Sequence, residues 1–282
     1  MSFTHTTGTS AYAWRPDTTA FVAGDVLADA LILQCSTIAG SVEGDAPSVR
    51  CAYVNDDTAT FVAEGQPIPE SEPELAEVNV FTGKLSQLVR VSREQFSQQG
   101  TADQVSASVA RALIRAADIA FLTQSAPTPP ATNPASGILN VPGVIDGGEV
   151  SDSLDTLVDI VAEIQSNGGF PSHVLVAPDA WAGLRKLKYA DNSNQSLLGA
   201  GVSDADLLLL GLPVIVNPAV PSLSGVVLDR NAIVSAVGQV LVSTSQDAYF
   251  SSDSIGLRST WRIGQALVRP DRVATFAVGS GS

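Results

Sequence analysis

Two histidines, two cysteines and a run of alternating glutamates are the side chains of this 282-residue sequence whose types invite chemistry. A histidine can trade a proton near neutral pH. A serine hydrolase, however, also needs a GxSxG elbow on a strand, turn and helix, and none occurs. His5 falls in an opening stretch rich in Thr, Ser and Ala, and His173 opens a short apolar segment, HVLVAP, where a half-buried structural role outweighs catalysis. Cys35 and Cys51 lack CxxC spacing, so two reduced thiols are expected in place of a disulfide, and no metal framework is visible. Carboxylates do pair, as Asp56 with Asp57 and as Glu70, Glu72 and Glu74 in EGQPIPESEPEL (64–75). Acid catalysis requires a concave site that raises one pKa, whereas a proline-rich tip reads as a solvated charged loop. The phosphate loop GxxxxGK[ST] is absent, and GAGVSD at 199–204 lacks the third glycine of a dinucleotide fingerprint. No catalytic, cofactor-binding or metal-ligating residue is assigned, no cofactor is expected, and the chain reads as a non-enzyme.

The charge balance narrows the partners. Fifteen Lys and Arg face 29 Asp and Glu, a formal net charge of −14, which disfavours affinity for phosphate backbones built on counterion release. Only three lysines exist, Lys84, Lys186 and Lys188. Arg90, Arg93, Arg111 and Arg115, and later Arg258, Arg262, Arg269 and Arg272, cluster weakly and read as partners for carboxylates before they read as a nucleic-acid track. At 45% hydrophobic and 16% charged residues, large surfaces must be buried, some of them between subunits. The first residues show no basic region followed by an apolar core, which argues against a secretory signal. The longest apolar run, Leu207 to Val216, is half a bilayer span and contains a proline, so it is expected to be a buried turn and strand with no membrane role.

Stepping along the chain, the opening residues with Phe3, Tyr12 and Trp14 read as an extended arm, and 25–38 as a short amphipathic helix. RCAYVNDDTATFVAEG (50–65) alternates like a strand, and VNVFTGKLSQLVRVSREQF alternates again beyond the proline-rich tip. Two strands flanking such a tip describe an extended hairpin. TADQVSASVARALIRAADIAFLTQ sets Val105, Val109, Ala112, Leu113, Ala116, Ile119 and Ala120 on one helical face. SAPTPPATNP is a loop, since its prolines remove donors and fix φ. Then come a helix with Ser151 as its expected cap and a terminal glycine pair, the strand HVLVAP, the helix PDAWAGLRKLK and the strand GLPVIVN. The last third is strand-rich: GVVLDR, NAIVSAVG, QVLVSTS and STWRIGQALVRPDRVATFAV. No repeat of fixed period occurs, and the fold class is α+β.

The order of these features, FVAEGQPIPES, LSQLVRVSREQF, the long helix, GILNVPGV, VLVAPDAWAGLRKLK, GLPVIVNPAVP and ALVRPDRVATFAV, resembles the major capsid proteins of tailed bacteriophages with the HK97-type fold, over about residues 25–278. The resemblance implies an N-terminal arm (1–30), a peripheral domain (31–45, 79–136 and 236–282) with a spine helix over about 102–123, an extended β-hairpin loop (46–78) and an axial α/β domain (137–235). It also implies a homo-oligomeric icosahedral shell of pentamers and hexamers, a virion location after assembly in the host cytoplasm, and enclosed double-stranded DNA bound without sequence specificity. Scaffolding, portal and decoration proteins are its implied partners. Some relatives weld subunits by a lysine–asparagine bond promoted by a glutamate. Here the lysine positions fall on Gly65 and Ile68 and the other two on Asp253 and Thr260, so a non-covalent shell is expected. The compact body starts near Asp25, which leaves no room for the cleaved leading segment of many relatives and implies a separate scaffolding protein or none. Two alternatives remain open on the sequence: an encapsulin-like compartment, and a ligand-binding protein or enzyme built on the α/β part.

Overall fold

The computed structural model describes residues 18–55, 61–62, 65, 74–98, 101–151, 153–187 and 207–279. The chain runs β1 (Thr18–Phe21), α1 (Ala23–Val26), α2 (Leu31–Gln34), β2 (Thr37–Val42), β3 (Ser48–Asn55), β4 (Glu74–Phe81), β5 (Gly83–Ser92), α3 (Arg93–Phe96) and the long α4 (Thr101–Thr123). It continues through β6 (Ile145–Val150), α5 (Asp155–Ser166), β7 (His173–Val176), α6 (Pro178–Lys186), β8 (Leu208–Leu209), β9 (Leu212–Val216) and β10 (Ser224–Leu228). It closes with β11 (Ile233–Tyr249), β12 (Ser254–Leu267) and β13 (Val273–Val278). The strands form a five-stranded sheet, β1-β11-β12-β5 with β2 parallel beside β11, a six-stranded sheet, β6-β13-β10-β7-β9-β8, and the β3–β4 ribbon.

The five-stranded sheet packs one face on α4. Direct cross-strand partners share a face, so Val240, Trp261 and Leu85 line one layer with Leu257 and Val89 beyond them, and all join the core that holds Val109, Leu113, Ala117 and Phe121 of α4. The helix stripe is shifted from the expected one. Ile119 is 46% exposed, while Ala117, Phe121 and Leu122 are buried, because the helix sits between this sheet and α2 and buries a second edge at Asp118 and Leu122. Burial of each large side chain contributes about 1.5–3 kcal/mol.

NAIVSAVG and QVLVSTS turn out to be one strand, β11, interrupted by a bulge between Val237 and Val240. The bulge leaves the Gly238 carbonyl to accept the Trp261 indole N–H at 3.0 Å. The six-stranded sheet is covered by α5 through Leu157, Ile160 and Ile164 and by α6 through Ala180 and Leu184. Its member β13 lies antiparallel to β10 and parallel to β6, so the last strand of 236–282 returns to the sheet built by β6–β10.

Three local expectations give way. Residues 25–38 form two single turns and the start of β2 in place of one helix. Leu27, Ala30, Leu31, Ile32 and Cys35 are all fully buried there, which no single helical face could achieve. Ser151 does not cap α5: Leu154 holds the cap position, and the Ser153 hydroxyl accepts from the Asp155 N–H at 3.3 Å. The apolar run at 207–216 is a turn and strand, but it is not buried throughout, since Leu208 is 50% exposed beside the exposed Leu207 and Leu210.

Candidate assembly surface

The β3–β4 ribbon pairs Ser48 with Phe81 through to Asn55 with Glu74 in unbroken antiparallel register. Alternation places Cys51 and Val80 on one side of it, buried in a small second core with Val42, Val234 and Ala236. Toward the tip this cover ends: Phe61 is fully exposed at 108% of its reference area. An isolated two-stranded ribbon is marginal in water, and an exposed phenylalanine at its far end is apolar area awaiting a partner.

The foot of the ribbon is fixed by one side chain. Arg262 Nη1 donates to the Ala46 carbonyl and to Thr82 Oγ1, both at 3.0 Å, so it grips the chain just before β3 and just after β4. Thr82, 1% exposed, closes the grip by donating its hydroxyl to the Ala46 carbonyl at 2.5 Å and its N–H to the Pro47 carbonyl at 2.9 Å. Gly264 permits the approach, since a Cβ there would lie 2.2 Å from the Phe81 carbonyl oxygen. Beside this foot lies a cavity of about 760 Å³, whose wall includes Glu43, Asp45, Lys84, Leu241, Thr260 and Arg262.

Behind the foot, Asp118 of α4 ties three parts of the chain. It is 3% exposed, and its Oδ1 accepts the Leu31 N–H at 2.8 Å while its Oδ2 accepts Asn217 Nδ2 at 2.7 Å. Burial pushes the Asp118 carboxyl above its ordinary range, against the lowering effect of those two donors. The same burial, with Asp118 nearby, pushes the Cys35 thiol up to about 12. At the C-terminal end of α4, Gln265 Nε2 donates to the Ala120 and Ser136 carbonyls, and Asn140 Nδ2 to those of Thr123 and Gln124.

The arginines flagged in the sequence divide differently from the expectation. Arg93 Nε meets Asp253 Oδ1 at 2.7 Å. Arg262 and Arg272 donate to backbone carbonyls, and Arg90 lies 5.0 Å over the Tyr249 ring. Backbone carbonyls and an aromatic ring thus take much of the role expected of carboxylates. Asp253 occupies a turn with φ of 41°, Thr260 faces the cavity, and Gly65 sits in an exposed turn with φ of 83°. His173 is half-buried, its Nδ1 3.0 Å from Ser172 Oγ, and burial reinforced by Arg230 lowers its pKa. Cys35 and Cys51 are buried free thiols. Asp56, Asp57, Ile68, Glu70, Glu72, His5 and the segment 199–204 lie outside the described residues, as does the side chain of Glu74. Among the described residues no group of His, Cys, Asp and Glu could hold a metal ion, and no helix is long and apolar enough to cross a membrane. Sequence reasoning missed the grip of Arg262 and the tie through Asp118, although alternation along STWRIG already set Arg262 opposite in facing to Trp261.

The sequence pattern of the phage capsid family matches residues 11–278. No curated protein matches the sequence. Among solved structures, a chain of Microbacterium phage Oxtober96 superposes with a TM-score of 0.66 at 16% identity, covering 99% of this chain and 96% of that one. One of Gordonia phage Cozz gives 0.64 at 16% identity, over 96% and 90% of the two chains. The structure described as "Capsid of native GTA particle computed with C5 symmetry" gives 0.64 at 14% identity, over 99% and 96%. A family match over nearly the whole length, on an α+β fold with a gripped hairpin and a long helix packed between the five-stranded sheet and α2, means that this chain belongs to the phage capsid family and has the HK97-type capsid fold.

Proposed function

We propose that this capsid subunit builds the icosahedral head shell of a tailed bacteriophage around double-stranded DNA, and that the shell is held without covalent bonds between subunits. The observation that carries the non-covalent reading is the absence of any lysine from 46–78, so the extended loop has no amine to form an isopeptide bond. The receiving side supports it. Asp253 is ion-paired to Arg93, and Thr260 stands on β12 with no carboxylate chemistry to offer. Apolar burial by arms and loops then supplies the cohesion, as the exposed Phe61 and Leu88 require.

The division of labour follows the expected segments. Residues 1–30 serve as an arm, 46–78 as the loop across a neighbour, 137–235 as the axial part, whose sheet also receives β13 (Val273–Val278), and 31–45, 79–136 and the rest of 236–282 as the peripheral part. The net charge of −14 leaves the packed genome free to move during packing and ejection, because few cations are available to pin it. Scaffolding, portal and decoration proteins are its natural partners. Purified particles boiled in detergent should run as a single monomer band and should carry nuclease-protected DNA. Covalent ladders on the gel would refute the non-covalent shell, and particles filled with protein cargo in place of DNA would refute the viral one.

A further inference from the structure

Among the described side chains, the solvent face of α4 carries cations and no exposed carboxylate. Arg111 and Arg115, one turn apart, are both exposed, and the next residue of the same row, Ile119, is 46% exposed. Asp118 turns inward to Leu31 and Asn217, which leaves the row uncompensated. The exposed face of α5 has the opposite sign. Asp155, Asp159 and Glu163 stand at the same four-residue interval, all exposed, with Val158 50% exposed beside them. No Lys, Arg or His occurs anywhere from Ile145 to Ser172.

Like charges four apart on a helix repel one another and weaken it, so each row carries a cost that a row of the other sign would relieve. The chain does not relieve it internally, since among the described residues none of these five charged groups has an ion pair. Within one chain α4 packs on the five-stranded sheet and α2, whereas α5 covers the six-stranded sheet.

The two rows match in spacing. Residues four apart are neighbours on a helix surface, about 5–6 Å between Cβ atoms, and each row of three spans about 12 Å at 1.5 Å per residue. Rows of this i, i+4 kind are the ridges along which helices interdigitate. In an antiparallel seating Arg111 meets Glu163, Arg115 meets Asp159, and Ile119 reaches Val158. A parallel seating would set Ile119 beside Glu163 and leave its apolar surface against a charge.

Resting on the shell reading above, we propose that the solvent face of α4 receives α5 of a second copy in this antiparallel register. The two faces differ, so the contact is heterologous, and head-to-tail contacts of this kind generate closed rings, as pentamers and hexamers require. Arg111 and Arg115 thus find their carboxylates on a neighbour. The charged rows set register and partner choice, while the contact of Ile119 with Val158 removes apolar area from water.

A charge reversal and a crosslink test the docking. Arg111→Glu with Arg115→Glu should cut particle yield about tenfold or more, while circular dichroism and gel filtration still show folded subunits. Adding Asp159→Arg and Glu163→Arg to the same chain should restore the yield to within about threefold of the parent. Independently, particles of the Arg111→Cys, Glu163→Cys double variant, oxidised after assembly, should give intersubunit ladders on a non-reducing gel. Neither single variant should do so, since Cys35 and Cys51 are buried, and neither should the Arg111→Cys, Asp155→Cys pair. The docking is overturned if the reversed variant assembles at the parental yield, if folded subunits carrying all four changes fail to assemble, or if the 111–163 pair gives no ladder. A ladder from the 111–155 pair instead overturns the antiparallel register. Normal shells of the reversed variant that fail only to retain duplex DNA also overturn it and would assign the α4 face to the genome. Should the chain with four changes not fold, the cysteine pairs decide. A parent chain that forms no particles at all would instead refute the shell reading itself.

Discussion

Asp118 offers the sharpest test of how the subunit is held together, because its two oxygens each satisfy a donor from a different part of the chain. In Asp118→Asn, Oδ1 can still accept the Leu31 N–H, but an NH2 group now faces the NH2 of Asn217. Asn217 cannot turn to accommodate it, since its Oδ1 already accepts the Ala219 N–H at 2.8 Å. One hydrogen bond to a charged group is lost, about 1.5–3 kcal/mol, and buried donors are left facing each other at a further 1 kcal/mol or so. Relief of the buried charge offsets part of this, since burial disfavours the ionised carboxylate. The expected net cost is about 2 kcal/mol, read as a shift in the urea midpoint of unassembled subunits with an unchanged slope. Combining Asp118→Asn with Asn217→Asp reverses the polarity of the pair: the new carboxylate accepts from both Ala219 N–H and the new amide. Most of the loss should return, giving a coupling of about 1–2 kcal/mol in the double-mutant cycle. If the two substitutions are simply additive, or Asp118→Asn costs less than about 0.5 kcal/mol, the tie between α4, α2 and the β9–β10 connection does not stabilise the fold as argued.

Two further perturbations probe the foot of the ribbon and the half-buried His173. Arg262→Ala leaves the Ala46 carbonyl and the Thr82 hydroxyl without their shared donor, so β3–β4 should exchange its amide hydrogens at least tenfold faster while the α4 core is unchanged, and closed shells should give way to open or irregular assemblies; exchange at the parental rate would refute the grip. The pKa of His173 is lowered from 6.5 by burial and by Arg230, so the unfolded chain binds the proton more readily than the folded one. Its stabilising contribution is present above pH 6.5 and is lost as pH falls through the lowered value. His173→Gln should therefore flatten the loss of thermal stability between pH 7 and pH 5, and an unchanged pH slope would show that the imidazole is not the group responsible.

What the sequence disclosed and what it withheld follow one physical division. Elements defined by short-range periodicity were legible: the spine helix is expected over about 102–123 and spans Thr101–Thr123, and the strands on both sides of EGQPIPESEPEL pair as β3 and β4. Elements whose ends are completed from afar were not. The first turn of α2 has its Leu31 N–H satisfied by a carboxylate 87 residues away, so neither a local cap nor a helical period announces it, and a single helix was the natural misreading of 25–38. The exposed Ile119 is the same error on the helix side, since a stripe drawn from hydrophobicity alone cannot know that Asp118, a charged residue, faces inward. Within the assembly surface, the alternation Arg258, Thr260, Arg262 was readable as one face, but the commitment of Arg262 to Ala46 and Thr82 needs the ribbon folded back over β12.

That commitment also explains how one chain can be stable before assembly and still demand neighbours. The ribbon has two ends with different requirements. Its foot is covered by Val42, Val234 and Ala236 and gripped by an arginine, whereas Phe61, nearer its tip, is fully exposed. Folding alone therefore fixes the direction in which β3 and β4 leave the body. A shell subunit needs that combination: a pre-set direction limits the orientational entropy lost when a neighbour is met, while apolar area left uncovered supplies the gain on meeting it. Shortening the grip and filling the tip are consequently different interventions. The first should alter the geometry of the shell, and the second its cohesion.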